Sequence, residues 1–544
     1  MQEVTPRSST TSVDISARGI TGQEDNEGSA VNLNYTNNDS HLHGLRSNNE
    51  QNKQFVRGNN RTIKMILLTQ CLAGLQFTWS VELAYGTPYL LSLGLSKSLM
   101  SLVWLAGPLS GLIMQPIVGS LSDNSKSRFG RRRPFLLVGS FLVICALICM
   151  GWTKEIVGLL FGSDSSTTIL LSKWLAVFSM YLLDFAINCV QASCRAIIVD
   201  SLPPSQQEEG TAWAGRMVGI GSVVGYFLGF VNLVDIFPFF GKTQLQVLCV
   251  LASIILMASD ALTCWAVHEK INTESTSSST NALNAAYETL YSIMKAVRNL
   301  PKPVQLVCNV QFFAWIGWFP FLFYATTWVS EVHSRSTSDL SESPSDDSVG
   351  ESTRVGSFSL LLYSLVSLSA SFILPFLVSP VGASATAGTK FSWKQLFQLP
   401  IAFLTVPKLW TISHFIFAFS MLITWFVTSD LQASIVISLC GISWAIIMWA
   451  PFSILGEYIS RESGTVGQRN YEVEENDQLI RISNDETRSE LPFIDSHGGI
   501  STNCSSEAGV LLGIHNMYIV LPQFLVTFIS SIIFAILEPS DEGN

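Results

Sequence analysis

Residues Tyr181–Asp200 read YLLDFAINCVQASCRAIIVD. They close an apolar run that starts near Ile169, so the whole predicts one long helix. At 3.6 residues per turn, Asp184, Asn188, Gln191 and Arg195 fall within roughly 60° of one another, a polar stripe on an otherwise oily rod. A charge at the centre of a membrane helix costs about 2.5–3.5 kcal/mol on insertion scales. Such a stripe is expected to face a watery or ligand-filled cavity. A polar seam that glues helices together is the plainer alternative.

The rest of the chain is of the same kind. Of its 544 residues 48% are hydrophobic and only 13% charged, with several apolar runs of 20 or more residues. That is the composition of a polytopic helical protein, whose first partner is a lipid bilayer. The net charge of −10 comes mostly from acidic loops, so no nucleic-acid partner is implied. Nine of the ten cysteines lie in apolar runs and only Cys504 in a loop, without zinc or disulfide spacing. No nucleotide loop, metal cluster or nucleophile elbow is present, so neither an enzyme nor a cofactor is expected; no protein partner is assigned.

Eleven spans can be counted, at about 64–92, 99–121, 134–153, 169–199, 213–233, 244–267, 304–330, 355–379, 408–428, 432–456 and 508–537. Six fall in a first group, residues 61–268. A polar linker, 269–302, leads to a second group within 303–544. Two groups around a six-span midpoint suggest pseudo-repeated halves, as in transporters. Eleven is an odd number for such an architecture: either the twelfth is missing or one span has been merged or overlooked. Residues 1–60, Ser- and Asn-rich without an apolar core, read as a disordered tail, and so does the acidic loop at about 460–507. Lys126, Arg128, Arg131, Arg132 and Arg133 place the loop after the second span on the cytoplasmic side, together with tail, linker and acidic loop. The sequons at Asn34 and Asn38 then lie in a cytoplasmic tail and stay unused.

Gly119–Pro134 reads GSLSDNSKSRFGRRRP. Asp123 ends one helix, while Arg128, Arg131, Arg132 and Arg133 can bridge to it and to neighbouring helix C-termini. Such a network can hold a gate in one state and release it in another; a merely topogenic basic loop is the alternative. The stretch resembles the loop between spans 2 and 3 of the major facilitator superfamily, in the Arg-Arg-Arg-Pro form of the glycoside–pentoside–hexuronide cation symporters. Trp104–Ser122 (WLAGPLSGLIMQPIVGSLS), Asp184–Asp200 and Gly513–Gln523 (GIHNMYIVLPQ) are similar to the proton-coupled sucrose and maltose transporters. With TrpSerValGlu at 79–82 and ThrProTyr at 87–89, the likeness is strongest to fungal α-glucoside members.

The resemblance implies an all-α major facilitator fold of two six-helix bundles and proton-driven uptake of a disaccharide such as maltose or sucrose. The plasma membrane is the expected location, a vacuolar or other internal membrane the alternative. A sugar sensor that binds without transporting is the competing function. By the same resemblance Asp184 takes the coupled proton, Arg195 is the essential arginine of span 4, and Asp200 sits at the inner mouth among the gating residues. Asn188, one turn on, is expected to hydrogen-bond the Asp184 carboxyl, with Gln191 beside it for substrate. Glu82 is a second candidate for the proton, or a partner for an arginine in the bundle. Trp315 and Trp318 offer aromatic faces to the C–H faces of a sugar ring, although aromatics also belong in membrane cores. His414 and His515 read as satisfied helix residues. Gly221, Gly225 and Gly229 at four-residue spacing suit close helix packing. The chain departs from plant members in three places: it lacks their first-loop histidine near Ser96 or Lys97, has Ala325 and Thr327 for two aspartates, and lacks the basic residue next to Glu331.

Overall fold

The computed structural model describes residues 55–123, 125, 127–162, 166–203, 206–269, 291, 300–337, 348–378, 404–484 and 503–537. The first long rod is broken at Gln70 into α1 (Arg61–Thr69) and α2 (Cys71–Ser92). The second is built from α3 (Lys97–Val103), capped by Ser96, and α4 (Ala106–Asp123). Then follow α5 (Arg133–Gly151), short α6 (Thr153–Phe161), α7 (Ser166–Ser201), α8 (Gln207–Phe230), short α9 (Leu233–Ile236) and α10 (Gln244–Ala266). Thr243 opens α10 with a reciprocal capping box to Gln246. The second half holds α11 (Lys302–Thr337), α12 (Ser348–Leu377), α13 (Val406–Ile423), α14 (Asp430–Asn484) and α15 (Asn503–Leu537).

Nine helices among the described residues are long and apolar enough to cross a membrane. The α1–α2 rod and α8 fall short because they carry polar and small residues along their length, such as Gln76, Thr78, Ser80 and Glu82 on α2. Of these, Thr78, Ser80 and Glu82 are buried inside the protein. Glycine lets α8 lie directly against α2: a Cβ at Gly225 would stand 2.6 Å from the Ser80 Cβ. Gly221 backs on Ala73 in the same way, and Gly229 backs on Ser357 of α12. The expected role of this glycine row in close packing is what the helices display.

Helix pairing repeats between the halves. In the first, α5 packs on α7, α4 on α7, and α2 on α8; in the second, α13 packs on α14, α12 on α14, and α11 on α15. The sixth rod of the first half, α10, seats against both α2 and α5. Among the described residues the second half has five long rods, so the eleven spans counted in the sequence are eleven here.

Two expectations about the polar segments change. Phe55 and Val56 form β1, which pairs antiparallel with β2 (Val267–His268), and the Arg57 amide donates to the Ala266 carbonyl at 2.8 Å. The described chain therefore begins within the expected tail, because these backbone groups find partners just beyond the end of α10. Helix α14 also runs on to Asn484, into the loop expected to lack regular structure. Residues 1–54, 270–290 and 485–502 lie outside the described residues, and with them most of the expected tail, linker and the end of the loop.

Candidate functional site

Helices α2 and α7 each carry one acid deep in the first half. Glu82 is fully buried and Asp184 is 3% exposed. Their carboxyl groups are near enough to interact electrostatically. Neither oxygen of Glu82, nor Oδ2 of Asp184, has a hydrogen-bond partner among the described residues. Two carboxylates this close and this dry repel each other, whereas one proton between them supplies the missing hydrogen bond. This facing pair, separated by about a hundred residues of chain, is the chemical centre of the site.

The rest of the stripe is braced by α4. Asn188 Nδ2 donates to Ser110 Oγ at 2.8 Å and to the Asp184 carbonyl at 3.0 Å. Its amide therefore engages the backbone oxygen of Asp184, where the sequence suggested the carboxyl; a residue four positions on reaches back along its own helix. Gln115 Nε2 of α4 reaches Asn188 Oδ1 at 3.4 Å and Gln191 Oε1 at 3.3 Å. Exposure rises along the stripe: Asp184, Asn188 and Gln191 are buried, while Arg195 is exposed. Arg195 stands about 16 Å from Asp184 along the helix axis.

At the other end the halves are closed against each other. Lys97 Nζ at the start of α3 meets Glu331 Oε1 of α11 at 2.7 Å. Thr87 Oγ1 donates to the Phe323 carbonyl at 3.0 Å and accepts from Trp104 Nε1 at 3.0 Å. Trp104 stacks on Phe323 with ring centres 4.5 Å apart, and the Tyr324 hydroxyl donates to Ser101 Oγ at 2.8 Å. Ser98 and Ser531 join α3 to α15 at 3.0 Å. Lys97 and Glu331 stand at two of the places where the chain departs from the plant pattern, and here they pair.

The two tryptophans part company. Trp318 stacks on Phe417 with centres 4.1 Å apart, is flanked by Phe321 and Trp444, and is 1% exposed. Its ring is spent on the core of the second half and is not open to a sugar. Trp315 leans on Phe319 and meets Trp444 edge-on, and its buried Nε1 has no partner among the described residues. His515 is buried against the Gln311 amide at 3.2 Å, while His414 Nε2 has no partner among the described residues.

The arginines after α4 gather at the opposite end. Asp200 accepts from Arg131 at 2.7 Å and from Arg132 Nε at 3.0 Å. Arg132 also reaches the Gly119 carbonyl at 3.3 Å and the Ser122 hydroxyl. Glu269 accepts from the Arg132 amide at 2.8 Å and lies 4.0 Å from Arg133 Nε. Gly130 makes room for it: its φ is +105°, and a Cβ there would stand 2.6 Å from Glu269 Oε2. Arg128 is exposed with its guanidinium over the Phe129 ring. Asp123 ends α4 as expected, but its side chain lies outside the described residues. The described part of this cluster ties α4, α5, α7 and β2 together, all within the first half.

Glu269, Gln115 and Asp260 have no role in the sequence reading. Asp260, fully buried on α10, accepts from Ser140 at 2.5 Å. An aspartate inside an apolar run is as costly as Asp184, and that signal was available. Nothing local marks Glu269 or Gln115, since their importance comes from helices that meet them.

Comparison with known proteins shows the family. The family model of the Major Facilitator Superfamily matches residues 66–467. The general alpha-glucoside permease of Schizosaccharomyces pombe is 35% identical over 90% of this chain and 90% of its own. A sucrose transport protein of Oryza sativa subsp. indica is 32% identical over 60% of this chain and 67% of its own. Among solved structures, a D-xylose–proton symporter aligns over 88% of this chain and 97% of its own, at 13% identity and a TM-score of 0.44. With two packed sets of membrane-crossing helices and this match over most of its length, the chain is a multi-pass membrane protein that belongs to the Major Facilitator Superfamily and is similar along most of its length to the alpha-glucoside permease.

Proposed function

We propose that this protein imports an α-glucoside disaccharide, such as maltose or sucrose, together with a proton, by alternating access. The observation that carries the coupling is the buried Glu82–Asp184 pair, two acids facing each other with oxygens that lack partners. The sugar class comes from the relatives, an alpha-glucoside permease and sucrose transport proteins. Asp184 is the proton carrier and Glu82 its neighbour. Loaded with a proton, the pair can donate to a sugar hydroxyl. Proton and sugar then favour each other's binding, as linkage requires. Asn188, Gln191, Arg195 and Trp315 contribute to the sugar site, and the cluster of Arg131, Arg132, Arg133 and Asp200 with Asp123 and Arg128 biases the inner gate.

Residues 61–268 and 303–544 act as the two moving bundles, and the plasma membrane is the location that fits uptake. A potential of 150 mV and one pH unit supply about 5 kcal/mol per proton, enough for roughly a thousandfold accumulation. The test is uptake of labelled maltose and sucrose by cells without carriers of their own. Accumulation that collapses with a protonophore supports the reading. Sugar binding without uptake would overturn it in favour of a sensor.

A further inference from the structure

Resting on the transport reading, we infer that Gln523 of α15 is a substrate-positioning residue that holds, from the second half, the same sugar hydroxyl that Asp184 holds from the first. The observation is a notch in α4. Gly107 has no side chain, and a Cβ built there would stand 2.9 Å from Gln523 Nε2 and 3.9 Å from Asp184 Oδ1. Both groups converge on one point, so they are under about 7 Å apart. A separation of about 5–6 Å, inside that bound, is what one hydroxyl oxygen held by two hydrogen bonds of about 2.7–3.0 Å requires. Gln523 is half-buried, whereas Asp184 is almost wholly enclosed. An amide suits this position for a chemical reason. It donates through Nε2 and accepts through Oε1 without carrying charge, so it serves a hydroxyl whether or not Asp184 holds its proton.

The placement matters because the two groups sit on different halves. A ligand bridging them is complete only when α4 and α15 are close, so its binding energy favours the closed arrangement. Glycine at position 107 is part of the device, since any side chain there pushes the amide away from Asp184.

The experiment uses the full chain, purified and in proteoliposomes. Binding and transport of maltose and of its monodeoxy analogues are measured for the wild type, Gln523→Ala, Gln523→Asn and Gly107→Ala. Loss of one neutral hydrogen bond is worth about tenfold in affinity. Gln523→Ala should raise KM for maltose about tenfold while kcat holds. That penalty should vanish for a single deoxy analogue, and the same analogue should erase the binding penalty of Asp184→Ala, which removes the other hydrogen bond. Gly107→Ala should reproduce the loss in weaker form, because its Cβ displaces a flexible amide without removing it. Gln523→Asn, one methylene shorter, should fall between wild type and alanine.

Equal losses across all analogues, or a lower kcat at unchanged KM, would mark Gln523 as structural and overturn the assignment. Unchanged KM in both Gln523→Ala and Gly107→Ala would overturn it too. If the wild type binds neither the maltose series nor sucrose, the α-glucoside reading itself fails, and this assignment with it. A wild type that binds maltose while Gln523→Ala is indistinguishable from it sinks the assignment alone.

Discussion

Replacing Lys97 with alanine tests how the end at which α3 meets α11, the outer one by the count of basic residues, is held shut. Lys97 Nζ and Glu331 Oε1 are 2.7 Å apart, and both side chains are 40% exposed. Arg335 lies 3.9 Å from the other Glu331 oxygen, so the acid keeps a weaker cation when Lys97 is removed. Exposed pairs of this kind contribute about 0.2–1 kcal/mol once solvent screening and side-chain entropy are counted. Because the pair joins α3 to α11, that energy exists only while the outer end is closed. Its loss should therefore shift the balance toward the outward-open form by a factor of about 1.4 to 5. Lys97→Glu places two acids together and should shift it further in the same direction. The assay is the rate at which a membrane-impermeant thiol reagent labels a cysteine placed at Ser101, beneath the latch, in a background without reactive thiols. Labelling should rise in Lys97→Ala and Lys97→Glu, fall back in the exchanged pair Lys97→Glu/Glu331→Lys, and depend less on salt once the pair is gone. Labelling that is unchanged in the single variants, or that the exchange does not restore, would refute the reasoning.

Three other outcomes follow from particular contacts. Asp184→Asn keeps shape and a donor but cannot release a proton, so it should abolish accumulation and proton-linked current; pH-dependent accumulation by this variant would move the coupling role to Glu82. Gly130→Ala must adopt a φ of +105° and push Glu269 away, at a cost of about 1–3 kcal/mol; a lowered thermal midpoint of the purified protein is the readout, and an unchanged midpoint contradicts the close packing at Glu269. A tag within 338–347 should be reachable on intact cells and one within 485–490 only after permeabilisation; the reverse pattern inverts the orientation read from the basic loops.

Much of the architecture was legible because its signals are local. Apolar runs of about twenty residues place the helices, and the period of 3.6 puts Asp184, Asn188, Gln191 and Arg195 on one face of α7. The four-residue spacing of Gly221, Gly225 and Gly229 anticipated the close approach of α8. Each inference needs only neighbours within a few turns of one helix. The resemblance of Gly119–Pro134 and Gly513–Gln523 to known carriers added the family.

Pairings across the chain were decided by tertiary structure alone. Glu82 faces Asp184, Lys97 meets Glu331 across 234 positions, and Arg132 draws on Asp200 and Glu269 together. Trp315 and Trp318 are three residues apart on one helix, yet the first retains an unpartnered donor and the second disappears under Phe417. Sequence registers that a residue is costly to bury; which group shares that cost depends on where distant helices come to rest. Helix packing sets those distances, and hydrogen bonds and charge pairs fade within a few ångströms. The chain could therefore announce its acids and arginines by itself, but only the folded arrangement of α2, α4, α7, α11 and α15 could say which of them meet.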